Sequence, residues 1–270
     1  MLMKNELDLF SSTGSQGETC KVLYLDTETT GIDPETAQIC EVAFILSTYN
    51  DFSRMHEQDI DLIELVLPQD PIPPEASAIH HITNSMLEGK PPLESISDDI
   101  QDLVSQADLI CAHNLPFDLG ILSRQLPDIF SDIKPKMKLD SLRLSRHIWP
   151  SIPSHALQVL RYRFGLDSSI AGDAHRALFD TELVRSLVEF AIEQRLTTSK
   201  NWKELVEFTQ SSLEIKIFSF GKYRGQLVED IVAQDEDYVR WLLRQQWIPD
   251  DYPDLYQTLL RKTGRKGSRK

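Results

Sequence analysis

The sequence predicts an α/β fold, a mixed sheet flanked by helices, followed by a second and smaller module. Three observations carry that expectation. Apolar, β-branched runs come first and close together. A further apolar run then alternates with helical patterns, and near residues 196–201 the composition turns polar before a new pattern begins.

The elements follow in chain order. Residues 1–20 are polar and acidic and read as a disordered leader. The runs VLYLD (22–26), QICEVAFILST (38–48) and DIDLIELVLP (59–68) read as three strands of an antiparallel meander. The Pro-rich PQDPIPPEA (68–76) is a loop that opens a helix. A helix is expected near 94–105, a strand at DLICAHN (108–114), and helices around 116–125, 140–148 and 155–164. A longer helix runs from about Ala174 to Arg195, with Asp173 suited to cap it. The expected domain therefore spans 21–196, and a linker helix spans 197–212. A small α+β module covers 213–260, built from a hairpin or tight loop at KIFSFGKYRGQ (216–226) and helices over 227–233 and 236–246. A basic tail, 261–270, ends the chain.

Composition narrows the function. With 270 residues the chain can bury one sizeable core and a small satellite. No apolar run approaches the roughly 18 residues of a membrane helix, and the N-terminus lacks the basic flank and apolar stretch of a signal peptide. Cys20, Cys40 and Cys111 show no metal-ligand spacing and read as free thiols, so a cytoplasmic location is expected. Net charge is −14. Six of the 28 basic residues sit in the last ten positions, which leaves 22 against 42 acids, a balance of −20, in the rest. Such a body repels polyanions at long range, so any nucleic-acid contact must be local.

The strongest local signal is DTETTG (26–31) at the end of an apolar strand. Strand alternation puts Asp26 and Glu28 on one face. Two like charges there are costly unless a cation joins them. Taken alone, they fit a solvated strand end equally well. Asp118 follows the strand of CAHNLPFDLGIL (111–122), and Asp180 sits beside the apolar stripe of GDAHRALFDTELV (172–184), with His175 five residues before it.

Four acids on three segments plus that histidine resemble the DEDDh pattern of the DnaQ-like 3′–5′ exonucleases. The likeness covers about residues 21–196 and includes AIHHIT (78–83), AHNLPFD (112–118), LDSLRLSR (139–146) and HRALFD (175–180). It implies a ribonuclease H-like fold, a mixed five-stranded sheet with helices on both sides, and a 3′–5′ exonuclease that releases nucleoside 5′-monophosphates. It also implies two divalent ions. Hard carboxylate oxygens suit Mg²⁺ or Mn²⁺, and two such ions can activate water and stabilise the leaving oxygen. By the same resemblance Asp26 bridges both ions, Glu28 and Asp180 complete the site of the ion that activates water, and Asp118 supports the second. His175 is then the general base, its ordinary pKa of about 6.5 suiting that task.

The resemblance also implies substrate contacts at Thr27 and Thr29 (through backbone), His80, Asn114 and Phe117. His81 stands where the family commonly has Gly, which leaves open whether His80 or His81 faces the substrate. FGKYRGQLVEDI…DYVRWLLRQ (220–245) resembles the C-terminal module of exonuclease-X-like members. There Lys222 and Arg224 either meet a phosphate, with Tyr223 stacking, or are merely solvated. The expected partner is a single-stranded or frayed 3′ end, DNA before RNA, with a polymerase or repair complex as an alternative reached through the C-terminal module.

Overall fold

The structure is a computed structural model and describes residues 19–52, 56, 58–130, 137–166 and 176–264. It divides into two compact units, one of segments 1–142 and 153–206, the other of 143–152 and 207–270.

The first unit is built on five strands. These are β1 (Cys20–Thr29), β2 (Ile39–Tyr49) and β3 (Gln58–Leu65), then β4 (Leu109–Ala112) and β5 (Met137–Asp140). Their order is β3-β2-β1-β4-β5; β1–β2 and β2–β3 are antiparallel, β1–β4 and β4–β5 parallel. Interleaved are α1 (Pro74–His80), α2 (Ser97–Gln106), α3 (Leu115–Gln125) and α4 (Pro127–Phe130), then α5 (Ser141–Ile148), which begins in this unit and ends in the second, α6 (Leu157–Phe164), α7 (Ala177–Glu193), and α8 (Trp202–Gln210), which likewise ends in the second. This is the mixed five-stranded, helix-flanked sheet that the sequence predicts.

Burial explains the strand sequences. Strand β2 is covered on both faces, so it reads as a nearly unbroken apolar run. One face of the sheet carries Leu23, Leu25, Phe44 and Leu46, packed with Ile100, Leu103 and Val104 of α2 and Ile121 and Leu122 of α3. The i, i+3, i+4 spacing in α2 supplies that stripe. On the other face Tyr24 meets Tyr49 (2.9 Å), which donates to Glu189 of α7 (2.9 Å). Leu183, Val184, Leu187 and Val188 of α7 are fully buried, each contributing about 1.5–3 kcal/mol. All three cysteines are buried thiols outside any disulfide. Among the described residues no helix is long and apolar enough to cross a membrane.

Three local expectations are corrected. Helix α7 begins at Ala177 rather than near 174, with Arg176 in extended backbone before it (φ −122, ψ 133); Asp173 and His175 lie outside the described residues. Strand β5 stands where no strand is expected, because four residues are too few to show a period; pairing with β4 makes it a strand. No helix is expected beyond 246. Two form there in the second unit, α11 (Ile248–Asp251) and α12 (Pro253–Lys262), after α9 (Val228–Gln234) and α10 (Glu236–Leu242). Their prolines sit in the first turn, where a missing N–H costs nothing.

The second unit has its own core of Phe218, Val228, Ile231, Val239, Leu242, Ile248, Leu255 and Leu259. Its Gly-flanked basic turn serves the fold. Lys222 Nζ (2.9 Å) and Tyr223 Oη (2.5 Å) both donate to Asp235, which caps α10 by accepting from the Tyr238 N–H (3.0 Å). Lys222 also lies over the rings of Tyr223 and Tyr238. Lys222 is thus paired within its own unit, with its side chain 57% exposed. Gly221 has φ 68, and a Cβ there would sit 2.8 Å from the Tyr238 hydroxyl, so this position needs glycine.

Candidate active site

Strand β1 ends in an irregularity of pairing between Glu28 and Thr29, where β2 carries an extra residue, Cys40. Such a bulge turns the strand end and re-aims its side chains. Asp26 and Glu28 share the face of Tyr24, the face that α7 covers. Asp180 projects there from the first turn of α7. One carboxylate oxygen from each of Asp26, Glu28 and Asp180 lies within 4.8 Å of the others.

Asp118, the fourth expected acid, stands outside that triplet. It is buried at the start of α3, and its Oδ1 accepts from the Thr27 hydroxyl (2.8 Å). Thr27 points to the opposite face of β1 from Asp26, so Asp118 approaches the strand end from the other side. It still acts on Asp26, as the largest of the charges that surround it.

These acids hold protons tightly. Asp26 is raised well above the carboxylate range, first by burial and then by Asp118, Glu28 and Asp180. Glu28 is pushed up to about 8 by burial and by Asp180, Glu41 and Asp118, with Arg176 pulling it back. Asp118 reaches about 7 through burial, against the Thr27 hydrogen bond. An all-oxygen set whose charges repel one another suits a hard divalent cation, which would replace the protons. The donor set therefore fits the ion that the sequence implies.

A pH dependence follows. Unfolded carboxylates titrate near 4, whereas Glu28 and Asp118 titrate at about 8 and about 7. Between these values the folded, metal-free protein binds more protons than the unfolded chain, so its stability falls as pH rises. The gap in melting temperature between Mg²⁺-loaded and EDTA-treated protein should widen from pH 5 to pH 8. A constant gap across that range would contradict the assignment of these acids.

Other expected contacts are placed as follows. His80 is buried, and its Nδ1 accepts from the Ile82 N–H (3.0 Å), which puts the neutral ring's proton on Nε2. Burial lowers its pKa. His81 is exposed and closes α1 in the left-handed region (φ 61), which is why glycine is the usual residue there. Asn114 is also left-handed (φ 76) and exposed, its N–H donating to Asp140 Oδ1 (3.0 Å). Phe117 packs partly against the core, and the Thr29 hydroxyl donates to the Gly31 carbonyl (2.7 Å).

Several residues around the acids have no place in the sequence reading. Gln158 of α6 donates to Asp180 Oδ1 (2.5 Å) and accepts from Arg161 (3.2 Å). Asp140 also caps α5 by accepting from Leu142 N (2.9 Å). Neither carries a sequence signal, because Gln158 lies 22 positions from Asp180 on an ordinary-looking helix. Glu41 pairs with Arg176. A lone acid inside the apolar run 38–48 is a signal that could have found it.

The family model described as "Exonuclease" matches residues 23–187, and the one described as "Exodeoxyribonuclease X-like C-terminal" matches residues 218–246. Exodeoxyribonuclease 10 of Escherichia coli K12 is 28% identical over 236 residues, which cover 87% of this chain and 95% of that protein. DNA polymerase III subunit epsilon of Haemophilus influenzae is 29% identical over 166 residues, 60% of this chain and 63% of that protein. Among solved structures, exonuclease X in complex with 5′ overhanging duplex DNA aligns at 25% identity with a TM-score of 0.53, over 70% of this chain and 99% of that one.

Proposed function

Since this chain belongs to the exonuclease family, we propose that it removes nucleotides from the 3′ end of DNA, releasing nucleoside 5′-monophosphates. The observation that carries this reading is the oxygen triplet of Asp26, Glu28 and Asp180 at the strand end, with Asp118 beside it. The DNA preference rests on the Escherichia coli relative, an exodeoxyribonuclease by name, aligned over 87% of this chain. The polymerase subunit aligns over 60% only, so docking on a polymerase is not the reading favoured.

Two divalent ions, Mg²⁺ or Mn²⁺, held by these four carboxylates would activate water and neutralise charge on the scissile phosphate and its leaving oxygen. The chain's own groups set up that chemistry. The Thr27 hydroxyl fixes one oxygen of Asp118, and Gln158 fixes Oδ1 of Asp180. His175 takes the proton of the attacking water. Thr27 and Thr29 (through backbone), His80, Asn114 and Phe117 contact the terminal nucleotide.

Matched DNA and RNA oligonucleotides, offered singly and in competition with Mg²⁺ and with Mn²⁺, test the substrate class. DNA should be degraded faster. RNA degraded at an equal or higher rate would replace this reading with an RNA-trimming enzyme.

A further inference from the structure

A fifth carboxylate stands beside the four. Glu41 lies on β2 directly across the antiparallel ladder from Glu28 and is 2% exposed. Placing one more acid there adds repulsion to a pocket that already concentrates negative charge. An amide would fill the same volume without that cost, so the charge calls for an explanation.

Its partners supply one. Glu41 accepts from Arg176 Nε (3.1 Å to each oxygen) and from Arg176 Nη2 (2.5 Å). Its Oε2 also accepts from the backbone N–H of Ala177 (3.0 Å), the first residue of α7. Arg176, at the capping position of α7, offers no side-chain oxygen to that turn. A strand residue therefore caps the helix from outside, where the dipole favours an anion. The first turn so held carries Asp180, whose N–H donates to the Arg176 carbonyl (3.1 Å). His175 is bonded directly to Arg176.

We propose that Glu41 is a positioning residue of the hydrolytic site, clamping the start of α7 to β2 so that Asp180 is held against Asp26 and Glu28. The proposal rests on the metal-dependent reading above, but its test does not rest on turnover alone. A residue that only stabilised the fold would lower the melting temperature and leave metal affinity and kcat of the folded fraction intact. A positioning residue lowers kcat and metal affinity and spares KM.

The test compares the full-length chain with Glu41→Ala, Glu41→Gln and the double variant Glu41→Gln/Arg176→Gln, which leaves no buried charge unpaired. Calorimetric titration with Mn²⁺ gives metal affinity, and steady-state kinetics on a labelled single strand give kcat and KM. Partners of metal ligands typically contribute 10–100-fold, so the double variant should show a Kd for Mn²⁺ and a kcat each about 10–100-fold worse, with KM within a few-fold. Glu41→Gln, which can still accept from the Ala177 N–H, should fall between the parent and Glu41→Ala. In the parent, that amide should exchange slowly with solvent. A folded double variant with parental metal affinity and kcat would overturn the proposal, as would a fast-exchanging Ala177 amide in the parent, which needs no variant. Should the parent bind Mn²⁺ more tightly than the variants but cleave nothing, the function fails and the clamp stands.

Discussion

Asp26→Asn should reduce turnover by three orders of magnitude or more while raising the melting temperature of the metal-free protein. The two effects have one cause. Asp26 is ringed by Asp118, Glu28 and Asp180 and holds its proton far above the ordinary carboxylate range. Asparagine is neutral without taking up a proton, so above about pH 4 the folded state no longer bears the cost of protonating or burying this acid; each kcal/mol relieved is worth roughly 2–4 °C in a domain of this size. The same charge is what joins the cation to the site. A bound divalent ion supplies several kcal/mol of transition-state stabilisation, and about 1.4 kcal/mol is a factor of ten, hence a loss of at least about 10³-fold. Calorimetric melting in EDTA and a single-turnover assay in Mg²⁺ check both halves. An active variant, or one melting lower than the parent in EDTA, would count against the cluster as the reaction centre.

His175→Ala should lower the rate by about 10²–10⁴-fold, the usual contribution of a general base, while Mn²⁺ affinity stays within a few-fold of the parent. A histidine carries no carboxylate, so its removal leaves the oxygen donors of Asp26, Glu28 and Asp180 in place. The parent's rate should fall as pH drops through the imidazole range, because the protonated ring cannot accept from water. In His175→Ala that acid limb should flatten. A near-parental rate at pH 7 would reassign the base.

Much of the site was legible because strand alternation and short spacings carry it. DTETTG at the end of an apolar run places Asp26 and Glu28 together without any long-range information. Asp180 was legible as an acid too close to a core stripe. Contacts that join distant segments were not. Gln158 meets Asp180 across 22 residues, and the Thr27 hydroxyl meets Asp118 across 91. The backbone role expected of Thr27 hid the part its side chain plays. The burial of His80 and the exposure of His81 follow from a left-handed helix cap at His81, which sequence marks only through the glycine that this chain lacks. In the second unit the tight loop expected at 216–226 is present, but its link to Asp235, which gathers Lys222, Tyr223 and the cap of α10, joins segments too far apart to be marked in the sequence. Strand β5 was too short to show a period, and the prolines of α11 and α12 resemble breakers until their first-turn positions are seen.

The most direct test of the central claim is a time course on single-stranded DNA labelled at its 5′ end, in Mg²⁺ and in EDTA. The account predicts a ladder of products shortening from the 3′ end in Mg²⁺, mononucleotide 5′-phosphates as the released species, and intact substrate in EDTA. Labelled mononucleotide released first from the 5′ end, or undiminished cleavage in EDTA, would contradict it.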